Sequence, residues 1–326
     1  PAVVRAFASQ VDVVSIENEF VDTAALRAVE AAGRPVRPSV AALDLVQDKY
    51  LQKQRLRDAG LDVAAFAPVE DLDTLLTRLD AFGGQGVLKT RRNGYDGKGN
   101  ATIRRRDDAA AAWRALGGGA VPLYLEAFCP FVRELAVIVT RAVTGEVAQY
   151  PVVETIQRDH ICHVVRAPAP VDDDLAGRAA AMAIRATEAV GAVGTFGVEL
   201  FALADGRVWL NELAPRVHNS GHYTIEACLT SQFENHVRAV LGWPLGSPAM
   251  ITPAAVMINL IGERRAPGTP HGIERALAVP GAYIHVYGKA MSGRGRKMGH
   301  LTALGVGRRR TRRLCRGRRH SLRSWT

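Results

Sequence analysis

The sequence predicts an α/β and α+β protein in which a parallel α/β layer is followed by two α+β units and a small β-rich one. Three observations carry this. Strand-like and helix-like segments alternate over residues 11–60, short apolar strands cluster around helices over 61–240, and residues 254–300 are strand-rich with turns at Pro267-Gly268, Pro280-Gly281 and Ser292-Gly293. A chain of 326 residues allows two or three compact units. Its hydrophobic fraction of 48% and charged fraction of 23% are ordinary for globular proteins that bury a core.

The elements follow in order. Val11–Ile16 reads as a buried strand with Glu17 and Glu19 at its carboxyl end, where ligands of such sheets sit. Asp22-Thr23 caps a helix to about Ala32 that Gly33 stops, and one long helix is expected from about Val40 to Ala59, ended by Gly60. Residues 61–135 form a smaller α+β unit, with helices over about 70–82 and 107–116 and strands at Gly86–Thr90 and Leu123–Glu126. Residues 134–240 form a larger one, with strands Glu134–Thr140, Val147–Val153, Gly197–Ala202 and Arg207–Asn211 and helices over about 172–190 and 224–241.

The net charge of +10 points to nucleic acid until it is located. Residues 306–326 hold nine arginines and no acid, which leaves 33 basic residues against 32 acidic ones elsewhere. The body is close to neutral and offers no basic helix or aromatic platform, so nucleic acid is expected only non-specifically, through the tail. Cys129, Cys162, Cys228 and Cys315 are widely spaced, with no CxxC pair, as in reduced cytoplasmic proteins. No apolar run reaches the length of a membrane span, so no membrane partner is expected.

Four constellations carry chemistry. In Lys89 to Gly99, three glycines within six residues (Gly94, Gly97, Gly99) let backbone N–H groups approach an anion, and Lys89, Arg91, Arg92 and Lys98 surround them with positive charge. A phosphate is the natural ligand, although a solvated hairpin has the same composition. Glu199 and Glu212 each interrupt an apolar strand. Two such carboxylates at one level repel unless a cation lies between them, and hard oxygen ligands suit Mg²⁺. Arg216, His218, Asn219, Ser220 and His222 follow directly, with a guanidinium suited to bicarbonate, carboxylate or phosphate. Arg294, Arg296 and Lys297 lie among Gly293, Gly295 and Gly299 in a second basic loop, which alone reads as an exposed turn.

In this order, Gly-Tyr-Asp-Gly-Lys-Gly, Asn-Glu-Leu-Ala-Pro-Arg-Val-His-Asn-Ser-Gly-His and Gly-Arg-Lys-Met-Gly-His resemble one family, the PurK-type 5-(carboxyamino)imidazole ribonucleotide synthases of the ATP-grasp superfamily. The resemblance covers about residues 8–305, and the Asn211–His222 stretch is its most specific part. It implies an ATP-grasp fold with a partial, biotin-carboxylase-like N-terminal α/β domain over 1–48. The ATP-grasp body would span 49–245, divided into a lid at 61–135 and a large subdomain at 136–245. A C-terminal β-rich domain would take 246–305, and 306–326 would be a disordered arginine-rich tail. The implied reaction joins ATP, bicarbonate and 5-aminoimidazole ribonucleotide in purine biosynthesis, in a cytoplasmic homodimer using Mg²⁺ or Mn²⁺.

The resemblance also implies roles. Glu199 and Glu212 would hold the metal. Lys49, Lys89, Gly94, Tyr95, Asp96, Gly97, Lys98 and Gly99 would grip ATP, joined by Asn211 and Glu212. Glu126, Ala127, Phe128 and Cys129 would meet adenine and Glu134 the ribose, with Gln157 nearby where relatives often carry histidine. Arg216, His218 and Lys297 would be catalytic. Glu19, Tyr95, Lys98, Asn219, Arg296 and Lys297 would surround the ribonucleotide. The family opens with a glycine-rich turn that does not precede Pro1, so the chain is read as N-terminally truncated. The arginine tail departs from the family's acidic–apolar helix and is read as a frameshift or gene-model error, which sequencing the 3′ end of the gene would decide. Two further readings stay open: another ATP-grasp carboxylate–amine ligase, and an inactive fragment that still binds ATP.

Overall fold

The computed structural model describes residues 2–94 and 98–305; Tyr95, Asp96, Gly97 and the arginine tail lie outside the described residues. The N-terminal segment contains helices α1 (Ala2–Ala8), α2 (Thr23–Ala31) and α3 (Val40–Gln47). α2 begins as its sequence demands, with the Asp22 side chain accepting from Ala24 N–H, and ends before Gly33 at φ +80°. Val11–Ile16 is not a strand. Its one ladder contact is a parallel bridge between Val14 and Val36, because among the described residues only the 35–37 segment runs beside it. An apolar cluster of Val14, Val29, Val36 and Val40 holds the segment together.

The long helix expected over 40–59 is two helices, α3 and α4 (Lys49–Asp58). Asp48 breaks it, at φ −97° and ψ 100°, because its carboxylate accepts from the N–H groups of Tyr50 and Leu51 and caps α4. The same carboxylate takes a forked ion pair from Arg91, with Nη2 at 2.6 Å. The break turns Lys49 out of the line of α3 at the first position of the new helix.

The smaller unit is a four-stranded antiparallel sheet of order β1-β4-β2-β3, made from β1 (Phe66–Val69), β2 (Gly86–Thr90), β3 (Asn100–Ile103) and β4 (Leu123–Ala127). Helices α5 (Leu72–Ala81) and α6 (Ala109–Ala115) cover one face, where Leu75, Leu79, Leu88, Ile103 and Leu125 are fully buried.

The larger unit is built on a nine-stranded antiparallel sheet. Its strands are β5 (Phe131–Arg141), β6 (Val147–Gln149), β7 (Val153–Arg158), β8 (Ile161–Ala167), β9 (Gly194–Leu203), β10 (Val208–Ala214), β11 (Ala254–Ile261), β13 (Ala282–Val286) and β15 (Lys297–Gly305). The order is β10-β9-β5-β7-β8-β11-β15-β13, with β6 on β5. β12 (Ala266–Pro267) and β14 (Met291–Ser292) form a separate ribbon. The strand expected over 147–153 stops at Gln149 and β7 starts only at Val153, with Pro151 between them. β11 pairs with β8 as well as β15, so the C-terminal strands extend the large sheet without interruption.

Helix α7 (Asp173–Val190) packs its Ala179, Ala183, Ala186 and Val190 against the sheet beside Leu135, Val137, Val198 and Leu200. The helix expected over 224–241 is also two, α8 (Thr224–Ala227) and α9 (Gln232–Leu241). Ser231 caps α9 by accepting from Glu234 N–H, and a polar residue making that bond disfavours continuous helix. α9 joins the N-terminal segment to the sheet: His236 Nδ1 accepts from Thr195 N–H at 3.0 Å while Nε2 lies 2.8 Å from Ser15 Oγ. A short α10 (Ile273–Leu277) covers β13. Among the described residues, no helix is long and apolar enough to cross a membrane.

Candidate active site

β9 and β10 create the centre of the site through one irregularity. Leu210 pairs with Leu200, but the next pair is Glu212 with Glu199, so Asn211 is an inserted bulge residue. Strict alternation from Val208 and Leu210, both in the core, would send Glu212 into the core as well. The bulge returns Leu213 to the core and places Glu212 beside Glu199 on the opposite face. β10 is an edge strand, and Gln52 of α4 completes it: its Oε1 accepts from Leu213 N–H at 3.1 Å and its Nε2 donates to the Leu213 carbonyl at 2.9 Å.

The two carboxylates differ. Burial, the Glu212 charge and Glu134 push Glu199 up to about 7. Burial also acts on Glu212, but Lys49, whose Nζ sits 2.7 Å from Oε2, together with Lys89 and Lys53, outweighs it and holds this carboxyl low. Asn211 Nδ2 donates to Glu199 Oε2 at 3.4 Å. A pair with this mutual repulsion is suited to a divalent cation. Among the described residues no cluster of three or more His, Cys, Asp or Glu ligands occurs, so phosphate oxygens and water would complete the shell, the usual arrangement for Mg²⁺.

Beside this pair runs a chain of lysines, with Lys53 buried and Lys49 and Lys89 half-buried. Glu126 of β4 lies 3.1 Å from Lys53 Nζ and 2.9 Å from Lys89 Nζ, and accepts from the Tyr124 hydroxyl at 3.0 Å. Burial opposes its ionisation, but the Lys53 and Lys89 charges win and hold it at about 2. Glu126 therefore anchors Lys89 through its side chain, and only its backbone remains to meet a nucleotide base. Lys53 is itself pulled down by burial.

Gly94, at the start of the glycine loop, lies against Lys49. A Cβ on Gly94 would sit 3.7 Å from Lys49 Cε and 3.2 Å from the Lys98 carbonyl. Gly99 has φ +76°, and a Cβ there would lie 2.4 Å from Thr90 Oγ1. A small cavity beneath is lined by Glu19, Gln47, Lys49, Asn93, Gly94 and Glu212. Arg91 faces Asp48 and Arg92 Nη1 donates to Gln47 Oε1 at 3.1 Å, so both arginines moor the loop to the α3–α4 junction.

On the far side, Arg216 makes a forked ion pair with Glu19, its Nη2 reaching Oε1 at 3.1 Å. His218 Nε2 lies 3.6 Å from Glu199 Oε1, and burial with the Arg216 and Lys297 charges takes its imidazole down to about 3. Lys297, at the start of β15, acts electrostatically on both His218 and Glu199. Asn219 exchanges two hydrogen bonds with Asn259, at 2.8 and 2.6 Å, which ties its amide to β11. Arg296 is exposed and donates to the Met291 carbonyl at 2.7 Å. His222 lies deeper, its ring centroid 5.0 Å from that of His300.

Beyond Glu199 and Glu212, Glu134 is raised to about 7 by burial and takes a hydrogen bond from Gln157. Phe131 stacks on Phe201 at 4.4 Å, next to half-buried Ala127 and exposed Phe128. Burial raises the Cys129 thiol to about 11, which leaves it a neutral, apolar wall. The structure thus brings together Glu19, Lys49, Glu199, Glu212, Arg216, His218 and Lys297, while Tyr95, Asp96 and Gly97 lie outside the described residues. Sequence reasoning missed Asp48, Gln52, Lys53, Gln232 and Asn259. Lysine and glutamine within helices read as surface positions, and only the strand-embedded Asn259 carried a signal, a polar residue in an apolar run.

A family model of the ATP-grasp domain matches residues 54–233, and one of the phosphoribosylaminoimidazole carboxylase C-terminal domain matches 255–313. The N5-carboxyaminoimidazole ribonucleotide synthase of Synechococcus elongatus is 44% identical over 89% of this chain and 73% of its own length. The chloroplastic phosphoribosylaminoimidazole carboxylase of Vigna aconitifolia is 41% identical over 93% of this chain, which spans about half (54%) of that protein. The carboxyaminoimidazole ribonucleotide synthase of Aspergillus clavatus, solved with ATP, superposes with a TM-score of 0.90 at 37% identity, over 98% of this chain and 84% of that one. A second structure from the same fungus holds ADP and 5-aminoimidazole ribonucleotide, with a TM-score of 0.90 at 36% identity and 98% and 84% coverage. The chain belongs to the ATP-grasp superfamily and, within it, to the N5-carboxyaminoimidazole ribonucleotide synthase family.

Proposed function

We propose that this chain is an ATP-dependent C–N ligase that carboxylates 5-aminoimidazole ribonucleotide with bicarbonate, in purine biosynthesis. The observation that carries the reading is the bulge-made Glu199–Glu212 pair, facing Lys49 on one side and the Arg216–His218 segment on the other. Bicarbonate is a poor electrophile. One of its oxygens takes the γ-phosphoryl group of ATP, giving carboxyphosphate and ADP. The exocyclic amine of the ribonucleotide then attacks the carboxyl carbon, loses a proton and releases phosphate. Phosphoryl transfer of this kind is mainly positioning and charge neutralisation.

The described groups have parts suited to their placement, and the family resemblance assigns those of Tyr95, Asp96 and Gly97. Lys49, Lys89 and the loop glycines Gly94, Gly97 and Gly99, with Asp96 and Lys98, hold the phosphates, and Asn211 orients Glu199. Glu126, Ala127, Phe128 and Cys129 supply the backbone and wall for adenine, with Glu134 and Gln157 at the ribose. Mg²⁺ or Mn²⁺ at Glu199 and Glu212 would neutralise phosphate charge during transfer. Arg216 and His218 receive bicarbonate and carboxyphosphate, and Lys297 adds positive charge there. Glu19, Tyr95, Lys98, Asn219 and Arg296 surround the ribonucleotide. Because Arg216 is paired with Glu19, binding of bicarbonate at Arg216 exchanges a carboxylate partner for another oxyanion and couples the N-terminal segment to catalysis.

ADP release measured with and without each substrate tests the reading: it should require bicarbonate and 5-aminoimidazole ribonucleotide together. ATP cleavage indifferent to both, or dependent on formate or biotin, would overturn it. ATP binding without turnover would leave a nucleotide-binding protein. A cytoplasmic homodimer belongs to the same reading. Cys129, Cys162 and Cys228 are buried, in keeping with a reducing compartment, and sedimentation reads the subunit number.

A further inference from the structure

The loop that carries His218 is held by two buried side chains, those of Ser220 and Gln232. Ser220 is 1% exposed and Gln232 is fully buried. His218 Nδ1 accepts the backbone N–H of Ser220 at 3.4 Å and lies 2.8 Å from Ser220 Oγ. A backbone amide can only donate, so Nδ1 is the bare nitrogen. The serine hydroxyl is then also a donor to it, and the ring's proton sits on Nε2. That nitrogen faces Glu199 Oε1 at 3.6 Å.

Gln232 fixes the backbone beneath the ring. Its Oε1 accepts from His218 N–H at 3.0 Å, and its Nε2 donates to the His218 carbonyl at 2.8 Å and approaches His222 Nδ1 at 3.2 Å. A Cβ on Gly221 would sit 2.6 Å from Gln232 Oε1, so the loop is closed onto the amide. Gly197 closes the other side, since a Cβ there would lie 2.4 Å from His218 Cγ.

We propose that Ser220 and Gln232 are positioning residues that hold His218 as its Nε2–H tautomer, a neutral donor aimed at the oxygens of the bound acid. The inference rests on the proposed function for the identity of that acid, bicarbonate and then carboxyphosphate; the tautomer itself does not depend on it. A fixed donor beside developing negative charge stabilises it without reorganisation. The opposite tautomer would present a lone pair to those oxygens and to Glu199, and would repel both.

The test is a ¹⁵N-histidine NMR spectrum of the full chain, with the His218 signals assigned by their loss in His218→Gln, combined with steady-state kinetics of Ser220→Ala. Wild type should show His218 protonated on Nε2 and bare on Nδ1. Ser220→Ala loses the 2.8 Å hydroxyl donor and keeps only the 3.4 Å amide contact, so it should admit some of the Nδ1–H tautomer and lower kcat roughly 10- to 100-fold, with KM for ATP unchanged. An Nδ1–H tautomer in wild type overturns the proposal whether or not the variant folds, and so does a Ser220→Ala protein with unchanged spectrum and kcat. A wild-type chain that shows the Nε2–H spectrum yet never cleaves ATP in a bicarbonate-dependent way would remove the proposed function and leave the positioning role standing.

Discussion

A single methyl group at Gly197 should disable the site without altering any charge. Gly197 lies in β9 beside Ala214, outside the positive-φ glycines, so alanine meets no backbone strain there. The obstacle is steric. The added Cβ would lie 2.4 Å from both Cβ and Cγ of His218 and 2.8 Å from Nδ1. Carbon atoms rest at about 3.5 Å or more, so the ring must retreat by about 1 Å. Forced repacking of this size costs about 1–3 kcal/mol of stability. A misplacement near 1 Å can lower catalysis by about 100-fold. Thermal unfolding and kcat for bicarbonate-dependent ADP release read the two effects. The source of the clash is checked in a His218→Gly background, where Gly197→Ala should lose most of its stability penalty. Full activity in Gly197→Ala, or an equal penalty in both backgrounds, would refute the steric argument.

Other outcomes follow from neighbouring features. Lys53→Met leaves Glu126 with one lysine in a buried site and should lower stability by about 2 kcal/mol, measured by urea unfolding. Gly99→Ala combines a φ of +76° with the Thr90 clash, adding strain of about 1–2 kcal/mol to the loop, and should raise KM for ATP. Burial and the neighbouring His285 hold His300 down to about 4 against an ordinary 6.5. Around it stand His222, His285 and Tyr287, with Glu226 bonded to His285 at 2.5 Å. Between pH 6.5 and 4 the unfolded chain binds a proton at this position that the folded chain refuses, so stability falls as pH drops through that window. The fall in Tm should be shallower in His300→Gln; an identical pH slope would remove His300 from the account.

The residue types of the site were legible because they break their surroundings: acids in apolar strands, glycines among basic residues, and a polar run after Glu212. Their arrangement was not. Period-2 counting from Val208 puts Glu212 in the core, and only the Asn211 bulge, a feature of pairing between strands, brings it to Glu199. Similarly, residues 40–59 contain good helix formers on both sides of Asp48, and its capping role shows only when Arg91 arrives from the smaller unit to share the carboxylate. The short strands Phe66–Val69 and Asn100–Ile103 carry little periodicity of their own; the first is completed by Leu123–Glu126, distant in sequence, and the second by Gly86–Lys89, the strand before it. Lys53 was invisible for a related reason. A lysine in a polar helix reads as solvated until tertiary packing sets it against Glu126.

The most direct test of the two-carboxylate centre is anomalous diffraction from crystals grown with Mn²⁺ and ADP. The account predicts a manganese peak bridging Glu199 and Glu212, with Lys49 displaced from Glu212 or sharing it with the nucleotide phosphates. Ordered nucleotide with manganese bound elsewhere, or with the Glu199 and Glu212 side chains on opposite faces of the sheet, would contradict it.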